Sequence, residues 1–226
     1  MRKSVLSGVV LASSLLVRGT MGRAQVAVVA PTTGSSAPTA VSNLVPDTLR
    51  DGSIVGDLVP TSGSTVRTGY AAVIVHRPLV QVLAAIHDVE HYRDFIPQFE
   101  QSHELSHGPS TQDLFVRVLV AHVAHLWARI RYQQTEFPNG SVSIDGHAVQ
   151  GNVERMDVRW RLTPVDGTGG TIVEFWSLVL PQLPIALPTG LIEDEQRYAA
   201  RRGVMAVRAR VEAEDLTMAR AEPVHP

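Results

Sequence analysis

Between residues 99 and 180 the chain alternates strand-like runs with turns and leaves no room for a crossover helix. The runs fall at 99–106, 112–122, 125–136, 141–149, 157–164 and 171–180, with "HGPST", "FPNGS" and "VDGTGG" among the punctuation between them. Sequential strands joined by short turns pair antiparallel, because a parallel pair needs a crossover of a dozen or more residues. An earlier β-rich run, "VRTGYAAVIV", occupies residues 66 to 75. Pro78 then suits the start of a helix, and Leu79, Val82, Leu83 and Ile86 follow at helical spacing. A second short helix is expected over 90 to 95, ending before Pro97. After the last strand comes one long helical pattern, from about 189 to 216, with a core-facing set of Leu191, Tyr198, Val204, Val207 and Val211. The expected class is α+β: an antiparallel sheet of about seven strands, two short helices after the first, and a long C-terminal helix.

Alternation within the runs says which face is covered. Val158, Trp160 and Leu162 point one way, Arg159 and Arg161 the other. Leu114, Val116, Val118 and Val120 oppose Arg117 in the same manner. Val173, Phe175 and Val179 oppose Glu174, which is placed to pair with an arginine across strands. The element long enough to cover the apolar face is the C-terminal helix.

The segments before this domain read differently. Arg2 and Lys3 precede an apolar stretch from 5 to 17, and Gly22 and Ala24 supply small residues for cleavage. Residues 1–24 are therefore expected to be a signal peptide, and the protein to be exported, periplasmic or extracellular. The stretch is shorter than the roughly 20 apolar residues of a membrane span. Residues 25–63 are rich in Pro, Ser, Thr, Gly and Ala and lack aromatic residues, so a disordered linker is expected, with a short strand near 54 to 59. The folded domain is expected over 64–216, and 217–226 as a tail.

Composition removes several chemistries. With no cysteine, there is no disulfide, thiol nucleophile or cysteine-ligated zinc. Lys3 is the sole lysine, so cleavage after Ala24 also removes Schiff-base chemistry and lysine phosphate loops. Cleavage would take Arg2, Lys3, Arg18 and Arg23 from the 20 basic residues and none of the 22 acids, leaving a net charge of about −6. That balance argues against nucleic acid as a partner.

Two stretches carry a family resemblance. "VIVHRPLVQVLAAIHDVEHYRDFIPQFEQSHEL" holds a strand, a proline-led helix and an Asp-x-Glu-x-Tyr-x-x-Phe-x-Pro pattern, here Asp88, Glu90, Tyr92, Phe95 and Pro97. "DVRWRLTPVDGTGGTIVEFWSLVLP" holds a tryptophan strand, a Gly-rich hairpin and a hydrophobic strand. Over residues 66 to 215 the chain resembles the START-like helix-grip superfamily, in its polyketide cyclase/dehydrase and coenzyme Q-binding branch. The resemblance implies a curved sheet gripping the long helix. It specifies activity poorly, since some relatives carry quinones or lipids and others cyclise polyketides.

The string His87-Asp88-Val89-Glu90-His91 fits the H-x-x-E-H pattern of inverted zinc peptidases. The resemblance places it instead at a joint between two short helices, with Asp88 as an N-cap and the histidines solvated. Neither metal nor cofactor is expected. His122 and His125, three apart on a strand, face opposite sides and cannot chelate together. His122 continues the inward set and Tyr132 shares a face with Ile130, which makes this pair the candidate for proton transfer. Ser177 lacks an acid–base partner and is not read as a nucleophile.

A curved sheet around one helix encloses more volume than ordinary side chains fill, and Ala199, Ala200, Gly203 and Ala206 leave room on the helix. The cavity lining expected is Val116, Val118, Val120, His122, Ile130, Tyr132, Trp160, Phe175, Ser177, Leu183, Ile185 and Gly203. Such a lining suits a hydrophobic small molecule fixed by one or two hydrogen bonds. The favoured reading is a non-enzymatic carrier of a lipid, quinone or isoprenoid-like compound. The alternatives are a cyclase or dehydratase acting on a polyketide-like substrate, and a ligand-free interaction domain. "LPQLPIALPTG", residues 180 to 190, has three prolines that forbid regular structure, yet keeps Leu183, Ile185 and Leu187 apolar. It is expected to be a lid that makes transient membrane contact.

Overall fold

Strands β2 and β8 are buried on both faces, and the rest of the architecture is arranged around them. The computed structural model describes Leu49, residues 52–120, 124–184 and 187–221, with side chains through Ala213. The elements are β1 (Val55–Val59), β2 (Thr68–Val75), α1 (Leu79–His87), a 3-10 turn at Val89–His91, α2 (Tyr92–Phe95), β3 (Phe99–His107), β4 (Thr111–Val120), β5 (Ala124–Glu136), β6 (Val142–Gly151), β7 (Val153–Val165), β8 (Gly170–Pro181) and α3 (Thr189–Ala221). All pairings are antiparallel, in the order β1-β2-β8-β7-β6-β5-β4-β3. The sheet does not close, and β1 and β3 are its edges. This is the helix-grip fold, with one strand more than the sequence led us to expect.

That extra strand is β1, at the place where a short strand was expected inside the linker. It pairs with β2 from Val55↔Ala72 to Val59↔Thr68, so the sheet begins before residue 64. The signal-peptide stretch and residues 25–48 of the linker lie outside the described residues. Leu49, fully buried, joins Val59, Tyr70, Ala72 and Trp176 in a small apolar cluster on the outer face. There the Tyr70 hydroxyl donates to Glu174 Oε1 at 2.9 Å. Burial holds the Glu174 carboxyl above the usual range, and Arg161, its register partner on β7, opposes that shift. Glu174 therefore faces an arginine as expected, with tyrosine as its hydrogen-bond partner.

The inner face carries the main core. Leu114, Val116, Ile130, Ile144, Leu162 and Val173 meet Val82 and Ile86 of α1 and Val204, Val207 and Val211 of α3. Register shifts at Phe99/Gln101, Glu104/Ser106, Arg129/Ile130 and Val153/Arg155 bend the strands around this core. Two residues expected in the core are not there: Leu191 is 42% and Tyr198 is 52% exposed. The buried face of α3 runs instead through Glu193, Gln196, Ala200, Gly203, Val204, Val207 and Val211. Its first half is polar or small: Glu193 and Gln196 hydrogen-bond Arg67 and the Val179 backbone, and Ala200 and Gly203 follow.

Gly69 marks the closest approach. A Cβ at Gly69 would lie 2.0 Å from the backbone oxygen of Gln196. The atoms it would meet, the Gln196 carbonyl and the Arg197 nitrogen, are main chain and cannot turn aside. We expect Gly69→Ala to cost about 2–3 kcal/mol by overpacking, measured by urea unfolding. Gly63→Ala, where nothing lies within 4 Å but φ is +70°, should cost less, about 1 kcal/mol.

Candidate ligand cavity

Past Ser177, β8 loses β2 as a partner, since their register ends at Gly69↔Ser177. α3 takes over with side chains. The Gln196 carboxamide donates from Nε2 to the Val179 carbonyl at 2.6 Å and accepts from the Val179 N–H at 3.1 Å. It does for Val179 what a neighbouring peptide would. Across the same gap, Glu193 accepts from the Arg67 backbone N–H (3.0 Å), from Arg67 Nε (3.0 Å) and from an Arg67 terminal nitrogen (2.7 Å). These two residues hold α3 over the splayed ends of β2 and β8.

Beyond that junction the inner face opens into a cavity. About 110 Å³ is open to the centres of water-sized spheres, several times the roughly 10–15 Å³ that holds one water. The structure brings Val116, Val118, Val120, Ile130, Tyr132, Trp160, Phe175, Ser177 and Gly203 of the expected lining around it. Leu183 is half-buried and does not line it. His122 and Ile185 lie outside the described residues, and with His122 goes the proposed proton-transfer pair.

The cavity wall also includes residues not expected there: Tyr92, Ile96, Gln98 and Phe99 after α1, Met156 and Val179 from the sheet, and Leu191, Ile192, Glu195, Gln196 and Arg202 from α3; Leu187, of the segment expected to be a lid, lines it too. 

Ala199 belongs to the same wall of α3. Of these, Leu191 shows why: it is exposed at the mouth and not packed in the core. Gly203 also has a different role from the one expected. A Cβ there would meet the Phe175 ring at 3.1 Å and Trp160 at 3.5 Å, so the glycine admits rings and leaves no empty room. Those rings stack 4.0 Å apart, 23° from parallel. Ala200 and Ala206 are buried in the core, while Ala199 faces the cavity.

Tyr132 reaches the cavity because Gly146, its partner on β6, has no side chain. A Cβ there would lie 2.3 Å from the Tyr132 ring. The Tyr132 hydroxyl neighbours Tyr92 and Trp160, and burial pushes it up to about 12. At neutral pH it therefore keeps its proton and serves as a hydrogen-bond donor. The Tyr92 hydroxyl, also raised by burial, donates to the Ile86 carbonyl at the end of α1.

The His87–His91 string is resolved by its partners. His87 is half-buried, with Nδ1 3.1 Å from Gln112 Oε1 and Nε2 2.8 Å from Gln134 Oε1. It is a packed side chain, a correction to the solvated role expected. Asp88 makes no capping bond to the backbone; its carboxylate meets His91 Nδ1 at 2.6 Å and Arg210 at 3.5 Å. Among the described residues, no group of three or more potential ligands is placed to hold a metal ion. His125 is exposed and pairs with Glu100 at 2.9 Å.

A curved open sheet, a long gripping helix and an apolar cavity between them define a helix-grip ligand-binding class. The family model described as polyketide cyclase / dehydrase and lipid transport matches residues 75–205. The chain belongs to that family. Among solved structures, it is similar to a STAR-related lipid transfer protein from Xanthomonas axonopodis, at 16% identity over 70% of this chain and 93% of that one, with a TM-score of 0.60. The human StAR-related lipid transfer protein 5 gives 10% identity, 72% and 83% coverage, and a TM-score of 0.59. A START superfamily protein from Mycobacterium smegmatis gives 17%, 65% and 97%, and 0.52. At these identities the likeness is one of fold. No curated protein matches the chain.

The junction carries a pH dependence. The Arg67 hydrogen bonds hold the Glu193 carboxyl down at about 2, against an ordinary 4.5. A lowered folded value means that the ionised carboxylate stabilises the fold above 4.5 and that this contribution fades as pH falls through 2. Wild type should therefore exceed Glu193→Gln in stability by a constant margin near neutrality. The margin should shrink between those two values, as read by urea unfolding across pH.

Proposed function

We propose that the protein is an exported, non-enzymatic carrier of a hydrophobic small molecule: a lipid, quinone or isoprenoid-like compound. The observation that carries this reading is the cavity, walled by Val, Leu, Ile, Phe and Trp with few polar groups. Such a lining gives an apolar compound a place out of water, and a few hydrogen bonds fix its orientation. Tyr132 holds its proton at neutral pH, which suits binding better than general-base catalysis. Mass spectrometry of organic extracts from the purified protein tests the reading. A co-purified apolar compound in stoichiometric amount is the expected result; an empty protein that also takes up no added lipid or quinone overturns it.

Export rests on the leader pattern at 1–24. The secreted form should begin at Gln25, as read by N-terminal sequencing. A secreted form that retains Met1 would count against cleavage.

The segment from 180 to 190 is proposed as the lid and the point of membrane contact. Leu187 of this segment lines the cavity, and so does Leu191, which follows it in the first turn of α3 and is 42% exposed. An apolar side chain there serves the ligand on one side and a bilayer on the other. Leu191→Asp should slow ligand transfer to liposomes several-fold. The melting temperature should move by only about 2 °C, because an exposed substitution costs within about 0.5 kcal/mol.

A further inference from the structure

The cavity lining carries polar atoms that the fold leaves unused. Arg202 Nε and Gln98 Oε1 are both buried, both belong to cavity-lining residues, and neither has a hydrogen-bond partner among the described residues. Arg202 lies on a stripe of α3 with Glu195 and Ala199, spaced seven and three residues before it, which keeps all three on one helix face. Its guanidinium sits 3.7 Å from the centroid of the Tyr198 ring, so one face of the group is covered by an aromatic surface. The guanidinium stays charged at any physiological pH, and its edge is a fork suited to a planar carboxylate. A buried donor on a charged group that lacks an acceptor is costly, and a ligand that brings the acceptor removes that cost.

We propose that the cargo is an amphiphile with a carboxylate head, held at Arg202, with its apolar chain in the cavity. The inference rests on the carrier reading and narrows it from hydrophobic compounds in general to apolar carboxylic acids. Gln98 supplies the second polar contact. Its carboxamide has no bond holding the oxygen, so it can turn its NH₂ toward a carboxylate oxygen. Glu195 is the opposing charge of the wall. It stands two turns nearer the start of α3, about 10 Å along the axis, and forms no ion pair with Arg202 among the described residues. Tyr92 and Tyr132, the remaining titratable groups of the wall, keep their protons because burial raises both. Arg202 is thus the cationic group of the described lining, and the head of the ligand is expected to find it.

The test compares lauric acid, methyl laurate and lauryl alcohol at neutral pH, each displacing Nile red from the full-length mature protein. The three share one chain and differ in the head. Wild type should bind laurate at least about tenfold more tightly than the ester or the alcohol, the size expected of a charge-assisted hydrogen-bonded pair. Arg202→Gln should bring that ratio close to one, and Arg202→Lys should restore part of it. Because the ratio is taken within one protein sample, a partly destabilised variant still reports it. Glu195→Gln should raise laurate affinity and leave the ratio at or above the wild-type value. Equal binding of the three compounds by wild type overturns this inference alone, as does an undiminished ratio in Arg202→Gln. Failure of all three to displace Nile red overturns the carrier reading together with it.

Discussion

The backbone of α3 rests directly on the backbone of β2, and most of the structure follows from that contact. At Gly69 the strand offers no side chain, and the Gln196 carbonyl occupies the space where one would be. Along its first turns the helix meets the strands through hydrogen-bonding side chains, Glu193 to Arg67 and Gln196 to the Val179 backbone, and then through Ala200 and Gly203; only farther along does it bury Val204, Val207 and Val211. Close approach at one end and register shifts in the strands at the other leave a space between helix and sheet. The cavity is what remains when a straight element is laid on a bent one.

The packing of the wall keeps that space open. The Trp160 and Phe175 rings stack on each other and press against Gly203, so they are fixed away from the cavity's centre. Tyr132 lies across Gly146 and is held by its neighbours Tyr92 and Trp160. Each large side chain here sits against a glycine on a neighbouring element. Collapse would require those rings to leave a tight contact for a loose one, which dispersion opposes.

Much of the sheet could be read from the sequence because strands have a period of two and turns have their own residues. The expected run at 171–180 is β8 to within a residue at each end, and the inward set of Val158, Trp160 and Leu162 is buried as alternation required. α3 was harder. Its apolar residues Leu191 and Tyr198 look like core positions, yet the buried face is polar in its first half, and hydrophobic spacing carries no information about a side chain that substitutes for a peptide. Gln98, Glu195 and Arg202 were missed for a related reason: each is an ordinary surface residue type, and only the three-dimensional wall reveals which polar atoms lack partners. His87 illustrates the reverse case. Its motif suggested a metal, while its two glutamine partners lie 25 and 47 residues away in sequence, beyond the reach of local pattern.

The Gln196 carboxamide has a kinetic consequence. A ladder of backbone hydrogen bonds opens cooperatively, since parting one peptide pair strains the next. A side chain that stands in for a strand carries no such obligation: it can leave Val179 by a rotamer change of one residue, with no strand separation. The rim of the cavity can therefore loosen at Val179 while the register of β2 with β8, ending at Ser177, stays zipped. Amide hydrogen exchange should divide at that point, with fast local exchange at Val179 and protection tied to global unfolding at the β2-paired positions before it.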